Sequence, residues 1–296
     1  MPSKANLRDT IRLGKMLVAP GGYDCITARL IEQAGFPAVY MTGAGTSISL
    51  GYPDFGLVTM TEMVANAGRL AASINVPLIS DSDTGYGNEL NMFRTVQEFE
   101  RAGVAAIHIE DQVFPKKCGH LDDKELVSLE DYLAKIRAAV AARRSRDFLI
   151  IARTDSRARA GLEEALRRCN AALAAGADVA FLEAPQTMTE VEQVPKLVKG
   201  PCLLNVVRNG KTPEIDLTAA ERMGYAIAIL PGLLMSGVIG ICDQLLAETK
   251  KINRHPPTPG DAGPAQIFAR FGAVEWDARR SAFRPEPGTA KRDAAE

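Results

Sequence analysis

The sequence is poor in cysteine, in net charge and in long apolar runs. Its 296 residues include five cysteines, Cys25, Cys118, Cys169, Cys202 and Cys242, which are scattered without paired spacing. That scatter argues against a disulfide framework or a cysteine-based zinc site and indicates a reducing compartment. No apolar run approaches the ~20 residues that a membrane helix needs. We therefore expect no membrane partner.

The charges of the chain are almost balanced. The formal net charge is −1, with 35 basic and 36 acidic residues, so nothing indicates a nucleic acid or an anionic membrane as partner. Residues 1–15 are polar and lack the apolar core of a signal peptide. These observations predict a cytoplasmic protein.

Short apolar runs alternate with longer stretches of helical pattern. The runs are residues 16–20, 38–42, 76–81, 105–111, 148–155, 179–184, 202–207 and 226–231. They are apolar on both faces, which is typical of strands in a parallel sheet that is buried on both sides. Eight βα units in one chain predict a (β/α)8 TIM barrel. The alternative is an open doubly wound sheet, for which residues 41–46 are only a weak phosphate-loop fingerprint.

The carboxyl-terminal part has a different pattern. We expect the barrel to occupy residues 1–253, a Pro/Gly-rich hinge residues 254–265, and a helical segment residues 266–283. The polar residues 284–296 predict a disordered tail. A helix beyond a hinge is expected to pack on a neighbouring subunit, the alternative being its own barrel.

Acidic and other polar residues stand at the ends of five predicted strands. They are Asp81 and Asp83, Glu110 and Asp111, Arg153 and Asp155, Glu183, and Asn205. In a barrel these strand ends converge on one rim, where barrel enzymes carry out chemistry. Several carboxylates at one rim repel each other unless a cation lies among them, and oxygen ligands favour Mg²⁺ or Mn²⁺. The alternative is that the acids cap helices or pair with arginines such as Arg153.

A thiol follows the fourth strand, in the segment Lys116-Lys-Cys-Gly-His120. Neighbouring cations stabilise a thiolate, so this pattern predicts a lowered pKa for Cys118. Residues 40–47 supply backbone N–H groups and hydroxyls at another strand end, where a loop can hold a carboxylate or phosphate. A metal, anion-binding donors and a thiol on a lid suit reactions that pass through an enolate.

These motifs resemble the isocitrate lyase/phosphoenolpyruvate mutase superfamily. The matching stretches are Tyr23-Asp24, Met41-Thr-Gly-Ala-Gly45, Gly51-Tyr-Pro-Asp-Phe-Gly56, Asp81-Ser-Asp-Thr-Gly-Tyr-Gly-Asn88, His108-Ile-Glu-Asp-Gln112, Pro115-Lys-Lys-Cys-Gly-His120, Ala152-Arg-Thr-Asp155, Phe181-Leu-Glu-Ala184 and Gly210-Lys-Thr-Pro213. The resemblance implies a homotetramer built from two dimers that exchange their eighth helix.

The resemblance also assigns roles. It implies Mg²⁺ around Asp81, Asp83 and Glu110, with Asp54 nearby, and it places a substrate carboxylate against Thr42, Gly43, Ala44 and Arg153. In the lyase branches, the cysteine that matches Cys118 protonates the carbanion left by C–C cleavage, and Lys116 and His120 hold the closed lid. We expect Tyr40 to be the base, and Glu183, Asn205 and Arg208 to complete the substrate site.

One departure concerns the substrate. Similar lyases and mutases have a glutamate where Arg208 stands, and methylisocitrate lyases carry a threonine where Val207 stands. We expect a lyase that acts on a carboxylate such as 2-methylisocitrate or 2,3-dimethylmalate. The alternatives are oxaloacetate hydrolysis or decarboxylation, carboxyphosphonoenolpyruvate mutase activity, or a binding protein on the lyase scaffold.

Overall fold

The eight apolar runs form eight parallel strands that close into a barrel. The computed structural model describes residues 6–121 and 123–284. Its strands are β1 (Leu17–Gly22), β2 (Val39–Met41), β3 (Leu78–Asp81), β4 (Ala106–Glu110), β5 (Leu149–Thr154), β6 (Val179–Leu182), β7 (Cys202–Asn205) and β8 (Ile227–Leu230). They pair in chain order, and β8 pairs back with β1. The predicted (β/α)8 barrel is confirmed, and the open sheet is excluded.

Helices alternate with the strands along the chain and continue beyond the last strand. They are α1 (Leu7–Arg12), α2 (Cys25–Gln33), α3 (Gly43–Ser49), α4 (Met60–Ser73), α5 (Glu89–Arg101), α6 (Leu129–Ala142), α7 (Arg157–Ala174), α8 (Met188–Leu197), α9 (Leu217–Met223), α10 (Leu233–Ile252), α11 (Pro264–Arg270) and α12 (Ala273–Phe283). The pattern predicts one helix over residues 266–283, but the structure has two there. Gly272 separates them with φ of 90°, a conformation that favours glycine and ends a helix.

The barrel interior is a continuous apolar core. Inward-facing side chains of the strands, among them Ile79, Ile151 and Phe181, pack together with Leu7 of α1. Arg8, next to Leu7, pairs with Asp178 at the start of β6, so α1 covers the amino-terminal end of the barrel. The outward faces of the strands pack against the surrounding helices. Because both faces are buried, the strands carry apolar residues at almost every position.

The last three helices differ from the others because they bury none of their residues. The chain divides into compact units at residues 1–239 and 240–296, a division that falls within α10. Residues 253–263 between α10 and α11 are non-helical, and the last two residues of the predicted hinge, residues 254–265, belong to α11. Of the predicted tail, residues 285–296 lie outside the described residues. Among the helices described, none has the length and apolar character to cross a membrane.

Candidate active site

Polar side chains stand at the carboxyl ends of five consecutive strands, from β3 to β7. They belong to Asp81, Glu110, Arg153, Glu183 and Asn205, and each residue is at most 6% exposed. Glu110 and Arg153 are direct partners across the β4–β5 pair. The structure therefore brings the predicted strand-end residues to one rim of the barrel. Their burial means that each charge needs a partner within the site.

Two cations face the acidic residues of this rim. The Nζ of Lys116 lies 2.9 Å from Oδ1 of Asp83 and 2.5 Å from Oδ1 of Asp54. The Nη1 of Arg153 lies 3.0 Å from Oε2 of Glu110. Within the described residues, no three His, Cys, Asp or Glu side chains converge as a metal site. The predicted metal ligands Asp81, Asp83 and Glu110 share the rim, but their carboxylates do not converge as a metal site, and those of Asp83 and Glu110 each face a cationic side chain.

The acids remain short of positive charge in spite of these pairs. Burial raises the pKa of Asp83 to about 6, although Lys116 opposes the effect. Burial also raises the pKa of Glu110 well above its ordinary value, against the influence of Arg153. Oε1 of Glu110 has no hydrogen-bond partner. Buried carboxylates whose negative charge is only partly offset by these two cations suit Mg²⁺, so the residues present fit this ion.

Tyr40 connects the acidic rim to a buried histidine. Its hydroxyl lies 2.8 Å from Nε2 of His108 and 3.4 Å from Oδ2 of Asp81. Burial lowers the pKa of His108 to about 4, so the imidazole is neutral at pH 7. Burial, with a contribution from Asp81, raises the pKa of Tyr40 well above 10. Tyr40 therefore keeps its proton unless His108 or Asp81 accepts it.

Sequence reasoning did not assign His108 a function. The residue is fully buried, stacks on Tyr40 with ring centroids 5.7 Å apart, and meets Phe181 edge-on. The signal that could have found it is the alternation of β4. His108 and Glu110 are two positions apart, so they point to the same face of the strand, which is the inside of the barrel.

The predicted anion-binding segment, Thr42 to Ala44, begins a helix instead of forming a loop. Thr42 is the N-cap of α3, and its hydroxyl accepts a hydrogen bond from the N–H of Gly45 at 3.3 Å. A Cβ added to Gly43 would lie 2.9 Å from Cγ of Asp81. Glycine at this position therefore allows the backbone to approach the acidic rim, and the structure brings this segment to the site as predicted.

The segment that carries Cys118 lies against the rim, and we call residues 113–121 and 123–125 the lid. A Cβ added to Gly119 would lie 2.7 Å from Cγ of Glu183 and closer still to Arg153. The Nε2 of His120 lies 3.4 Å from Oε1 of Glu183. On its other side, Nδ1 of His120 accepts a hydrogen bond from the N–H of Lys211 at 3.1 Å. Only an unprotonated Nδ1 can accept this bond.

The predicted lowering of the Cys118 pKa is wrong. Burial raises the pKa of this thiol, and Asp54 and Glu183 raise it further. The neighbouring cations do not compensate, because Lys116 is turned toward Asp54 and Asp83. At neutral pH Cys118 is therefore a thiol, the form that can donate a proton.

Arg208 lies apart from the other predicted site residues. Its side chain is 88% exposed, and its Nε is 3.9 Å from Oε1 of Glu214. It lines a cavity of about 770 Å³ outside the rim, which is otherwise lined mainly by apolar residues such as Val206, Ile215 and Leu233. Asn205, by contrast, donates a hydrogen bond to Glu183 at 3.2 Å. The structure thus brings Asn205 to the rim but not Arg208.

A barrel of this topology with this rim defines a class of enzyme that uses a carboxylate cluster beneath a cysteine-bearing lid. The family model described as phosphoenolpyruvate phosphomutase matches residues 7–250. The chain belongs to this family, and hence to the isocitrate lyase/phosphoenolpyruvate mutase superfamily, whose members are enzymes. The resemblance stated from the motifs is confirmed.

Two curated relatives with high sequence identity to the chain are lyases. The chain is 49% identical to the 2,3-dimethylmalate lyase of Eubacterium barkeri over 232 residues, covering 78% of this chain and 80% of the relative. It is 47% identical to a 2-methylisocitrate lyase of Aeropyrum pernix over 225 residues, covering 76% and 72%.

Solved structures agree with the fold. An oxaloacetate acetylhydrolase in complex with 3,3-difluorooxalacetate superposes with a TM-score of 0.90 at 36% identity, covering 94% of this chain and 95% of that one. A 2,3-dimethylmalate lyase gives a TM-score of 0.88 at 39% identity, covering 98% and 97%. A phosphonopyruvate hydrolase in complex with oxalate and Mg²⁺ gives 0.84 at 29% identity, covering 94% and 97%.

Proposed function

We propose that the protein is a Mg²⁺-dependent carbon–carbon lyase. Its substrate is a substituted 2-hydroxy di- or tricarboxylate that resembles 2,3-dimethylmalate or 2-methylisocitrate. The observation that carries the proposal is the segment of Cys118 and Gly119, which lies against Glu183 and Arg153 in a rim of buried carboxylates. The identity to a 2,3-dimethylmalate lyase and a 2-methylisocitrate lyase supports the same reaction class.

Binding of the substrate would use the two sides of the rim. Asp81, Asp83 and Glu110 would hold Mg²⁺, which lowers the energy of negative charge on substrate oxygens when it is bound. Thr42, Gly43, Ala44 and Arg153 would hold the hydroxy-carboxylate end. Asp54, Glu183 and Asn205 lie where they can orient the lid and the remaining part of the substrate. Manganese is the alternative ion for the same oxygen donors.

The reaction needs a base and an acid on opposite sides of the broken bond. We propose that the Tyr40 hydroxyl takes the substrate's hydroxyl proton while it passes its own proton to His108, 2.8 Å away. The C–C bond then breaks, the oxygen becomes the carbonyl of an α-keto acid, and the electron pair stays on the second carboxylate fragment. The Cys118 thiol donates a proton to that carbon. Lys116 and His120 keep the lid closed and exclude water during the step.

The test is a panel of substrates. Release of an α-keto acid from 2,3-dimethylmalate, 2-methylisocitrate, methylmalate and oxaloacetate is measured in the presence of Mg²⁺. We expect turnover of a branched 2-hydroxy acid. In Cys118→Ser, cleavage should be lost while Mg²⁺ binding, measured by calorimetry, is retained. Full activity of Cys118→Ser would remove the thiol from the mechanism.

A second candidate function is hydrolysis or decarboxylation of oxaloacetate. The TM-score of 0.90 to an oxaloacetate acetylhydrolase favours it.

A carboxyphosphonoenolpyruvate mutase activity is supported by 36% identity over 288 residues to the Arabidopsis thaliana carboxyvinyl-carboxyphosphonate phosphorylmutase. Release of oxalate from oxaloacetate, without turnover of the other panel compounds, would indicate an oxaloacetate hydrolase. Melting shifts with panel compounds but no turnover would indicate a ligand-binding protein.

We propose that the protein is a cytoplasmic homotetramer in which dimers exchange α10. Several apolar residues of this helix are exposed in the single chain, namely Leu233, Val238, Ile239 and Leu246. Trp276 and Phe283 of α12 are exposed as well. A second subunit would cover such surfaces, because large exposed apolar patches mark interaction sites. Analytical ultracentrifugation of the full chain tests the tetramer.

A further inference from the structure

Lys124 is a buried lysine that the mechanism above does not use. It lies on the returning arm of the lid, shortly before the short antiparallel pairing of Gln112 with Leu126 that closes the base of the lid. Its side chain is 1% exposed. A lysine is almost never buried this fully unless its charge is paired, so the ammonium group must have partners within the protein.

The ammonium group of Lys124 joins the barrel rim to the backbone beside Cys118. It lies 2.7 Å from Oδ1 of Asp155, and it also donates to the carbonyl oxygen of Gly119. Asp155 is itself fixed, because its Oδ2 accepts from Nε of Arg153 at 2.9 Å and its N–H donates to Asp111 at 2.8 Å. The contact therefore ties the lid to a hydrogen-bonded residue directly after β5.

The lid is held on both sides of the thiol. Lys116, two residues before Cys118, pairs with Asp83 on the metal side of the rim. Lys124 holds the carbonyl of Gly119, the next residue after Cys118, on the β5 side. The Gly119–His120 peptide group is fixed in this way, so the backbone next to Cys118 cannot leave the rim without breaking a buried, charge-assisted bond.

We propose that Lys124 is a positioning residue that fixes the Cys118 thiol over the substrate by holding the Gly119 carbonyl to Asp155. The proposal rests on the lyase function proposed above. Lys124 does not touch the reacting atoms in this scheme. It acts through the lid backbone, so its loss should lower kcat more than it raises KM and should expose Cys118.

The experiment compares Lys124→Met with Lys117→Met in the full-length protein. Lys117 belongs to the same lid but its side chain is exposed, so it is a matched control. Alkylation of Cys118 by iodoacetamide is followed by mass spectrometry of its peptide, with Mg²⁺ and oxalate present. We expect Cys118 to react about tenfold faster in Lys124→Met, and kcat to fall about 100-fold, the scale of a ~1 Å misplacement. Lys117→Met should match the wild type in both.

The alkylation readout does not depend on turnover. If the wild type cleaves no panel compound, the proposed function fails. The rate of Cys118 alkylation in the two variants still decides the role of Lys124. The proposal would be overturned if Cys118 of Lys124→Met were alkylated as slowly as in the wild type. If that variant does not fold, Lys124→Gln replaces it, since a neutral amide is easier to bury and is one atom too short to reach both oxygens. Wild-type protection in Lys124→Gln would overturn the proposal equally.

Discussion

Gly119→Ala is the perturbation whose consequence the structure defines most sharply. A methyl group at this position would point into the floor of the site. Its carbon would lie 2.7 Å from Cγ of Glu183 and closer still to Nη2 of Arg153. Both neighbours are buried and held by other contacts, which they would have to break to move away: Glu183 accepts from Asn205, and Arg153 is paired with Asp155. The lid must move instead.

The size of that movement follows from the contact distance. Ordinary van der Waals contact begins at 3.4 Å, so the backbone at Gly119 must rise by about 0.7 Å or more. Cys118 is the adjacent residue and rises with it. A misplacement of ~1 Å at a reacting group costs up to about 10²-fold in rate. We therefore expect kcat of Gly119→Ala to be 10- to 100-fold below the wild-type value.

The assay measures initial rates of α-keto acid release on the substrate that the panel identifies, together with thermal melting. The melting temperature should change little, because the clash is relieved by opening the lid and the barrel core is untouched. The matched control is Gly51→Ala, at an exposed glycine whose added Cβ meets no atom within 4 Å, although its positive φ adds some strain. A wild-type kcat for Gly119→Ala would refute the closed lid as the active arrangement.

Two further predictions concern the metal and the pH. Chelation should lower the melting temperature, and Mg²⁺ at 100 times its Kd should restore about 2.7 kcal/mol of stability. At one fixed Mg²⁺ concentration the restored stability should be larger at pH 7.5 than at pH 6, since burial raises the pKa values of Asp83 and Glu110 and protons then compete with the ion. For the lid, burial lowers the pKa of His120 below 6.5, so its bond to the Lys211 N–H persists at neutral pH and is lost as the pH falls through that lowered pKa. Hydrogen exchange should therefore show that the Lys211 amide loses protection on acidification in the wild type but not in His120→Asn. Unchanged protection of this amide in the wild type would contradict the role of His120. A melting temperature that does not respond to Mg²⁺ would contradict the metal site.

The barrel was predictable because its strands are buried on two sides. A run such as residues 148–155 is apolar at successive positions, which a half-exposed strand or an amphipathic helix would not be. The convergence of Asp81, Glu110 and Glu183 followed from the topology alone, because parallel strands in a barrel end at one rim. These inferences needed only the local pattern and the direction of the chain.

One error was local and one came from a contact between residues distant in sequence. Residues 40–47 were interpreted as an anion-binding loop, yet α3 begins at Gly43 with Thr42 as its cap. The pKa of Cys118 was predicted from its neighbours in sequence, but Lys116 pairs with Asp54, 62 residues away. Local composition does not say which carboxylate a flexible lysine reaches.

The raised pKa of Cys118 changes how the site should be understood. A thiolate would suit a nucleophile, whereas a buried thiol that keeps its proton suits an acid. Tyr40 and His108 form the complementary half, since a neutral imidazole 2.8 Å from the phenol can accept the proton that the phenol gives up. Burial thus keeps the thiol protonated and the imidazole unprotonated. C–C cleavage needs that division, because one proton leaves an oxygen and another arrives at a carbon.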